Sequence, residues 1–214
     1  MKSSRKKIFV FGASGHAKVV IDIIEHQGLY DIAFLVDDDL ALKDTDFYDY
    51  RVIGGKLELL ECRARVCGGI VAIGSNSARC NVAGWLANNG FSMVSAIHPA
   101  AQIGRGVTVN AGSVVMAGAV VNSDTCIGRN VIINTKASVD HDCTICDYVH
   151  IAPGATLCGR VSVGASSFIC AGVTIIPNLT VGCNAMIGAG STVIRDVPDG
   201  MIMVGSPAKV VKGF

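Results

Sequence analysis

The sequence is short of charge. Only 16% of its 214 residues are charged, against ~25% in an ordinary globular chain, and the signs nearly cancel to leave +1. So little net charge gives no electrostatic footprint for nucleic acid or an anionic membrane, and neither is expected as a partner. No apolar run approaches the ~20 residues of a membrane span. Met1 to Lys7 is basic, but the apolar run that follows, Ile8–Phe11, stops at Gly12 and is too short for a signal peptide. Nine scattered cysteines, an odd number, imply reduced thiols and a cytoplasmic location. Cys143 and Cys146 form a C-x-x-C, but no second pair follows at zinc-ribbon spacing, so no metal is expected.

What the chain has instead is a period of six. From Ile97 to Val193 every sixth residue is aliphatic, seventeen times without an insertion. The fifth position of each hexad is small or modest, with Leu179 the bulky exception, and Cys143 occupies one of these positions. The fourth is Gly, Asn or Asp in twelve of seventeen. One aliphatic residue per short strand keeps a common core, the small residue fits an inward corner, and Gly, Asn and Asp tolerate the positive φ of a tight turn. Such self-similarity predicts a repeat architecture of stacked strands.

Residues 1–96 read differently. Ile8–Phe11 predicts a buried strand that runs into Gly12-Ala13-Ser14-Gly15-His16 and then an amphipathic helix over Ala17–His26. A Gly-rich turn opening a helix is a ready phosphate site. A strand over Ile32–Val36 ends at Asp37-Asp38, where an acidic residue commonly meets a ribose. A loop at Arg51–Gly54, a helix near Lys56–Cys62, a strand at Gly69–Ile73, Gly74-Ser75-Asn76 opening a helix over Ser77–Asn89, and a last strand over Phe91–Ile97 complete the pattern. Alternating β and α argues for a small parallel sheet. Ser14–His16, Asp37–Asp38 and Gly74–Asn76 then fall at its carboxyl edge, where ligands bind in open parallel sheets. The expected organisation is an α/β domain over 1–96, a β-helix over 97–198 and a C-terminal tail over 199–214.

The hexads resemble the left-handed parallel β-helix acyltransferases, a likeness that implies left-handed coils of three hexads and a homotrimer. Together with Phe11-Gly12-Ala13-Ser14-Gly15-His16, Ala72-Ile73-Gly74-Ser75-Asn76 with Arg79, Val139-Asp140-His141-Asp142 and Val204-Gly205-Ser206-Pro207-Ala208-Lys209, the whole chain resembles the bacterial nucleotide-sugar N-acetyltransferases that act on 4-amino sugars such as perosamine and the bacillosamine precursor, and their sialic-acid-acetylating relatives. The resemblance implies a Rossmann-like nucleotide-sugar domain with Ser14, Gly15, His16, Asp37, Asp38 and Gly74 on the substrate. It also implies acetyl-CoA along the β-helix near His150, Ala171 and Ala189, and an active site between subunits.

By the same match His141 contacts the sugar amine. Acetyl transfer needs an unprotonated amine that later loses a proton, and an imidazole, which titrates near ~6.5, can take it at neutral pH. Asp142 has two readings, a carboxylate that fixes the tautomer of His141 and an ordinary corner residue. His150 would hold the thioester carbonyl, and Lys209 and Lys212 would meet CoA phosphates or simply lie in solvent. His26 is expected to be solvated and His98 structural. The expected reaction is direct attack by the amine on the thioester, with no metal and no acyl-enzyme, GDP-perosamine being favoured over a UDP-linked sugar. The alternatives are a sialic-acid-type O-acetyltransferase and a non-catalytic sugar-nucleotide-binding trimeric scaffold.

Overall fold

The computed structural model describes residues 5–211. The chain divides into two compact units, one through Pro99 and one from Ala100 onward.

In the first unit, β1 (Lys6–Phe11), α1 (Gly15–Gln27), β2 (Tyr30–Val36), the hairpin β3 (Asp46–Phe47) and β4 (Tyr50–Arg51), α2 (Lys56–Glu61), β5 (Gly68–Val71), α3 (Asn76–Asn88) and β6 (Ala96–Ile97) follow in order. A three-stranded parallel sheet has the order β2-β1-β5. Ile8, Phe9 and Val10 are wholly buried at its centre, as a strand covered on both faces requires. α1 turns Ala17, Val20, Ile21 and Ile24 to the core and ends at Gly28, whose N–H reaches the Ile24 carbonyl. The segment expected to be a loop at 51–54 begins as one arm of the β3–β4 hairpin. The strand expected over 91–97 shrinks to β6 and one isolated parallel bridge between Gly69 and Met93. Phe91 has a packing role instead, standing edge-on to Phe9 with ring centroids 5.5 Å apart.

The second unit is a left-handed parallel β-helix. Its two-residue strands form three ladders, one per face of a triangular prism. The first face holds Ser138–Val139 and its neighbours, the second Thr144–Ile145, and the third His150–Ile151. Register advances by three hexads at every rung, so Val121 pairs with Val139 and Val139 with Leu157. First-position residues from Val115 to Val193 are buried. Ile103, in the first coil with a coil on one side only, stays 39% exposed.

Every fourth position from Gly106 to Gly190 lies at positive φ, including Lys136, Tyr148 and Arg160 at 56°, 62° and 60°. Corner geometry thus overrides residue preference, at roughly 1–2 kcal/mol for each side chain that has a Cβ. Among the inward fifth positions, hydroxyls act as straps between coils. Ser113 Oγ donates to the Gly128 carbonyl and accepts from Val131 N–H. Ser167 does the same with Gly182 and Ala185. The period slips at the end. Met186 pairs with Ile202 rather than a residue 18 further on, and the carboxylates of Asp196 and Asp199 take the Thr180 and Cys183 amides. Residues expected as tail thereby add Ile202–Val204 to the third face, with Lys209–Val210 antiparallel beside it.

Candidate functional site

In the first unit the turns after β1, β2 and β5 meet at the carboxyl edge of the sheet. Ala13 N–H donates to Asp37 Oδ2 at 2.8 Å, and Asp39 N–H to Asp37 Oδ1 at 2.9 Å. Asp37 therefore braces two turns, and a carboxylate with about four lone-pair sites keeps room for a further donor. Asp38 is exposed and pairs with Lys56 Nζ at 2.7 Å. Ser14 and Gly15 are exposed at the start of α1, and Ser14 makes no side-chain capping hydrogen bond there. The first-turn amides are thus presented to an anion.

His16 lies against the third turn, its Cγ 4.0 Å from where a Cβ on Gly74 would stand. Arg79, only 1% exposed, donates to the carbonyls of Ile73 and Gly74 and to Asn76 Oδ1. Burial, and then the Arg79 guanidinium, lower the His16 pKa to about 4. His16 is neutral at pH 7 and meets a ligand as a hydrogen-bonding group, not as a cation. The structure thus brings Ser14, Gly15, His16, Asp37, Asp38 and Gly74 to one edge. Lys56, which lies 5.8 Å from the Trp85 ring and 5.9 Å from that of Phe11, and Arg79 as a builder of the third turn are additions to the sequence reading. Arg79 follows the Ala72-Ile73-Gly74-Ser75-Asn76 motif, but only its burial reveals the role.

In the second unit His141 and Asp142 occupy the corner between the first and second faces. Asp142 has a geometry compatible with both of its readings. It is the left-handed corner residue, at φ 57°, and its Oδ2 lies 2.8 Å from His141 Nδ1. A carboxylate can only accept, so Nδ1 is the donor in this contact. Four hydrogen bonds hold this corner. Asp140 Oδ1 accepts from His141 N–H and from Asn122 Nδ2, both at 2.9 Å, and these bonds, Asn122 first, hold the Asp140 carboxyl below its usual pKa. Thr125 Oγ1 donates to the Asp140 carbonyl and accepts from Cys143 N–H, so one strap brackets His141.

Gly159, one coil further on, gives the ring its place. A Cβ there would stand 2.7 Å from His141 Nε2 and Cε1. His141 lines a cavity of about 280 Å³ with Asp140, Cys158, Gly159, Arg160, Pro177 and Asn178. Cys143 points inward and its Sγ donates to the Cys158 carbonyl; burial pushes its thiol pKa up. Asn122 and Thr125 went unnoticed in the sequence, although each stands one coil, 18 residues, before a residue it holds.

His150, Ala171 and Ala189 belong elsewhere on the prism. His150 begins a strand of the third face, nine residues and one corner beyond His141. It is 7% exposed, packed edge-on to Phe168 at 4.6 Å, with Nε2 3.0 Å from Asn134 Nδ2. Asn134 Oδ1 accepts from Thr135 N–H, so the amide NH2 faces the imidazole and Nε2 is the acceptor. Ala171 and Ala189 are exposed on the corner that ends this face, and Gly190 N–H bonds the Ala171 carbonyl. A Cβ on Gly154, Gly172 or Gly190 would meet nothing within 4 Å, so this corner is a bare strip of backbone. One chain therefore keeps the His141–Asp142 pair and the bare corner apart. Lys209 is exposed; Lys212 lies outside the described residues.

Residues 7–86 match the PglD N-terminal domain, and residues 124–159 the bacterial transferase hexapeptide (six repeats). The structure of the H141N mutant of perosamine N-acetyltransferase from Caulobacter crescentus, in complex with CoA and GDP-perosamine, superposes with a TM-score of 0.92 at 36% identity, over 100% of this chain and 99% of that one. The acetyltransferase domain of PglB from Neisseria gonorrhoeae, in complex with acetyl coenzyme A, gives 0.90 at 36% identity, over 97% and 100%. A GDP-perosamine N-acetyltransferase from Escherichia coli O157:H7 is 29% identical over 95% of both chains. The chain belongs to the hexapeptide-repeat sugar acetyltransferases that carry a PglD-type N-terminal domain. Among the described residues no helix is long and apolar enough to cross a membrane.

Proposed function

We propose that the protein transfers the acetyl group of acetyl-CoA to the 4-amino group of a nucleotide-linked 4-amino-4,6-dideoxy sugar, with GDP-perosamine as the favoured acceptor over a UDP-linked bacillosamine precursor. The observation that carries this reading is the His141–Asp142 pair over Gly159, in a chain that matches a perosamine N-acetyltransferase from end to end. The amine nitrogen attacks the thioester carbonyl to give a tetrahedral intermediate. The C–N bond forms, the C–S bond breaks, and the sulfur leaves to become the CoA thiol. His141 Nε2 takes the proton that the nitrogen loses, Asp142 holds the resulting imidazolium, and that proton passes on to the departing sulfur, which restores the neutral imidazole. Positioning of the amine against the thioester supplies a further share of the rate.

The sheet edge suits a diphosphate at the α1 N-terminus, with His16 as a neutral hydrogen-bonding partner and Asp37 or Asp38 on the nucleoside. The bare corner at Ala171 and Ala189 suits the extended CoA arm, and His150 stands on the face that leads to it. The separation of this corner from His141 within one chain favours a homotrimer in which two copies complete each site. No metal takes part in these steps.

The test is CoA release with acetyl-CoA and GDP-perosamine, UDP-4-amino sugars or CMP-sialic acid, with the product identified as amide or ester. Amide formed from one 4-amino sugar supports the reading and names the nucleobase. Ester from the hydroxyl acceptor alone would make the protein an O-acetyltransferase. No turnover and no acetyl-CoA binding would leave a sugar-nucleotide-binding scaffold.

A further inference from the structure

Asp22 and His26 stand one turn apart on α1, and the ring of His98 lies beside that of His26 although 72 residues separate them in sequence. One ligand atom from each lies within 4.8 Å of the other two. We propose that Asp22, His26 and His98 form a three-ligand site for a first-row divalent transition metal, zinc being the natural occupant, outside the acetyl-transfer chemistry.

Two distances carry the inference. On a tetrahedral zinc with ligand atoms at about 2.1 Å, neighbouring ligand atoms lie about 3.4 Å apart. Asp22 Oδ1 and His26 Nδ1 are 3.3 Å apart. Two imidazoles on one such ion have ring centroids about 5.2 Å apart, from the same bond length and the size of the ring. The His26 and His98 centroids are 5.3 Å apart, with planes inclined by 37°. The remaining closure, from at most 4.8 Å, is about 1.4 Å or less and falls within side-chain torsion. Asp22 and His26 are more than half exposed, so both an entry path and room for water in the fourth position exist. Two imidazoles and one carboxylate suit zinc, cobalt, nickel or copper, whereas magnesium and calcium need more oxygen ligands.

His26 Nδ1, the liganding atom of the 3.3 Å pair, also lies 2.8 Å from the Asp22 carbonyl; metal binding there requires its proton to move to Nε2 or be released. The ion would tie residue 98, the last before Pro99 and the end of the unit, to α1, against which β6 packs. Asp-x-x-x-His on a helix is visible in the sequence, but nothing there brings His98 to it.

Cobalt titration of the full chain followed by visible absorption, with zinc calorimetry alongside, tests the site. The expected result is one ion per chain, weak d–d bands without the intense near-ultraviolet absorption of a cobalt–thiolate bond, and affinity reduced about tenfold or more in both H26A and H98A. D22N supplies a third variant should either histidine variant fail to fold. Unchanged affinity in the variants, a thiolate band abolished by alkylating the cysteines, or no binding below millimolar metal would overturn the proposal.

Discussion

At the scale of the residue, His16 and Asp142 show what neighbours do to a side chain. The folded-state pKa of His16, about 4, lies below the ~6.5 of an unfolded-chain histidine. Between these values the unfolded chain binds the extra proton, so this group makes stability rise with pH from about 4 to 6.5 and adds no slope above that. The full contribution is roughly 3 kcal/mol. Urea unfolding at pH 4.5, 5.5, 6.5 and 7.5 is expected to show a shallower acid slope for His16→Gln than for the natural chain; equal slopes would refute the burial argument.

Asp142→Asn keeps an acceptor for His141 Nδ1 but also allows the side chain to donate there, which releases the tautomer. It should lower kcat about tenfold or more with little change in KM for the sugar. Steady-state kinetics of this variant separate the two effects. Position 142 was legible as a corner because the period places it there. The pairing with His141 was one of two open readings, since a turn aspartate and a histidine partner look the same in one dimension.

At the scale of the element, the six-residue period carried almost all of the β-helix, because one aliphatic residue per strand is a local rule. It did not say that Lys136, Tyr148 and Arg160 would enter left-handed corners, since backbone geometry there is imposed by the coils above and below. Gly154 isolates that geometry. Its φ is 66° and a Cβ would meet nothing within 4 Å, so Gly154→Ala costs backbone strain alone, about 1 kcal/mol. Lys136→Gly, at φ 56°, should be neutral or stabilising by up to about 1 kcal/mol. Chemical denaturation of both variants checks the sign, and a stabilised Gly154→Ala would contradict the corner argument. The end of the β-helix was less legible because side-chain carboxylates replace backbone acceptors there and the register slips. The strand expected over 91–97 failed for another reason: Phe91 belongs to a helix-side aromatic cluster, and an apolar run alone does not reveal its partner.

At the scale of the whole molecule, the sheet edge was readable because turn residues cluster where parallel strands end. The separation of His141 from the bare corner is contained in a count of hexads around the coil, but a one-dimensional period does not show which corners carry chemistry. That separation makes a prediction. In a trimer whose sites each draw on two copies, mixing His141→Asn chains with chains blocked at the other corner by Ala171→Trp should restore up to about a quarter of the natural activity on subunit exchange. Activity that stays at the level of the separate variants would place each site within one chain. The most direct test of the account is steady-state CoA release with GDP-perosamine by the natural chain and by His141→Asn. The account predicts turnover by the natural chain, a kcat lower by about 10²–10⁴ in the variant, and a sugar KM that moves little. Equal rates in the two proteins, or no turnover of any nucleotide-linked 4-amino sugar by the natural chain, would contradict it.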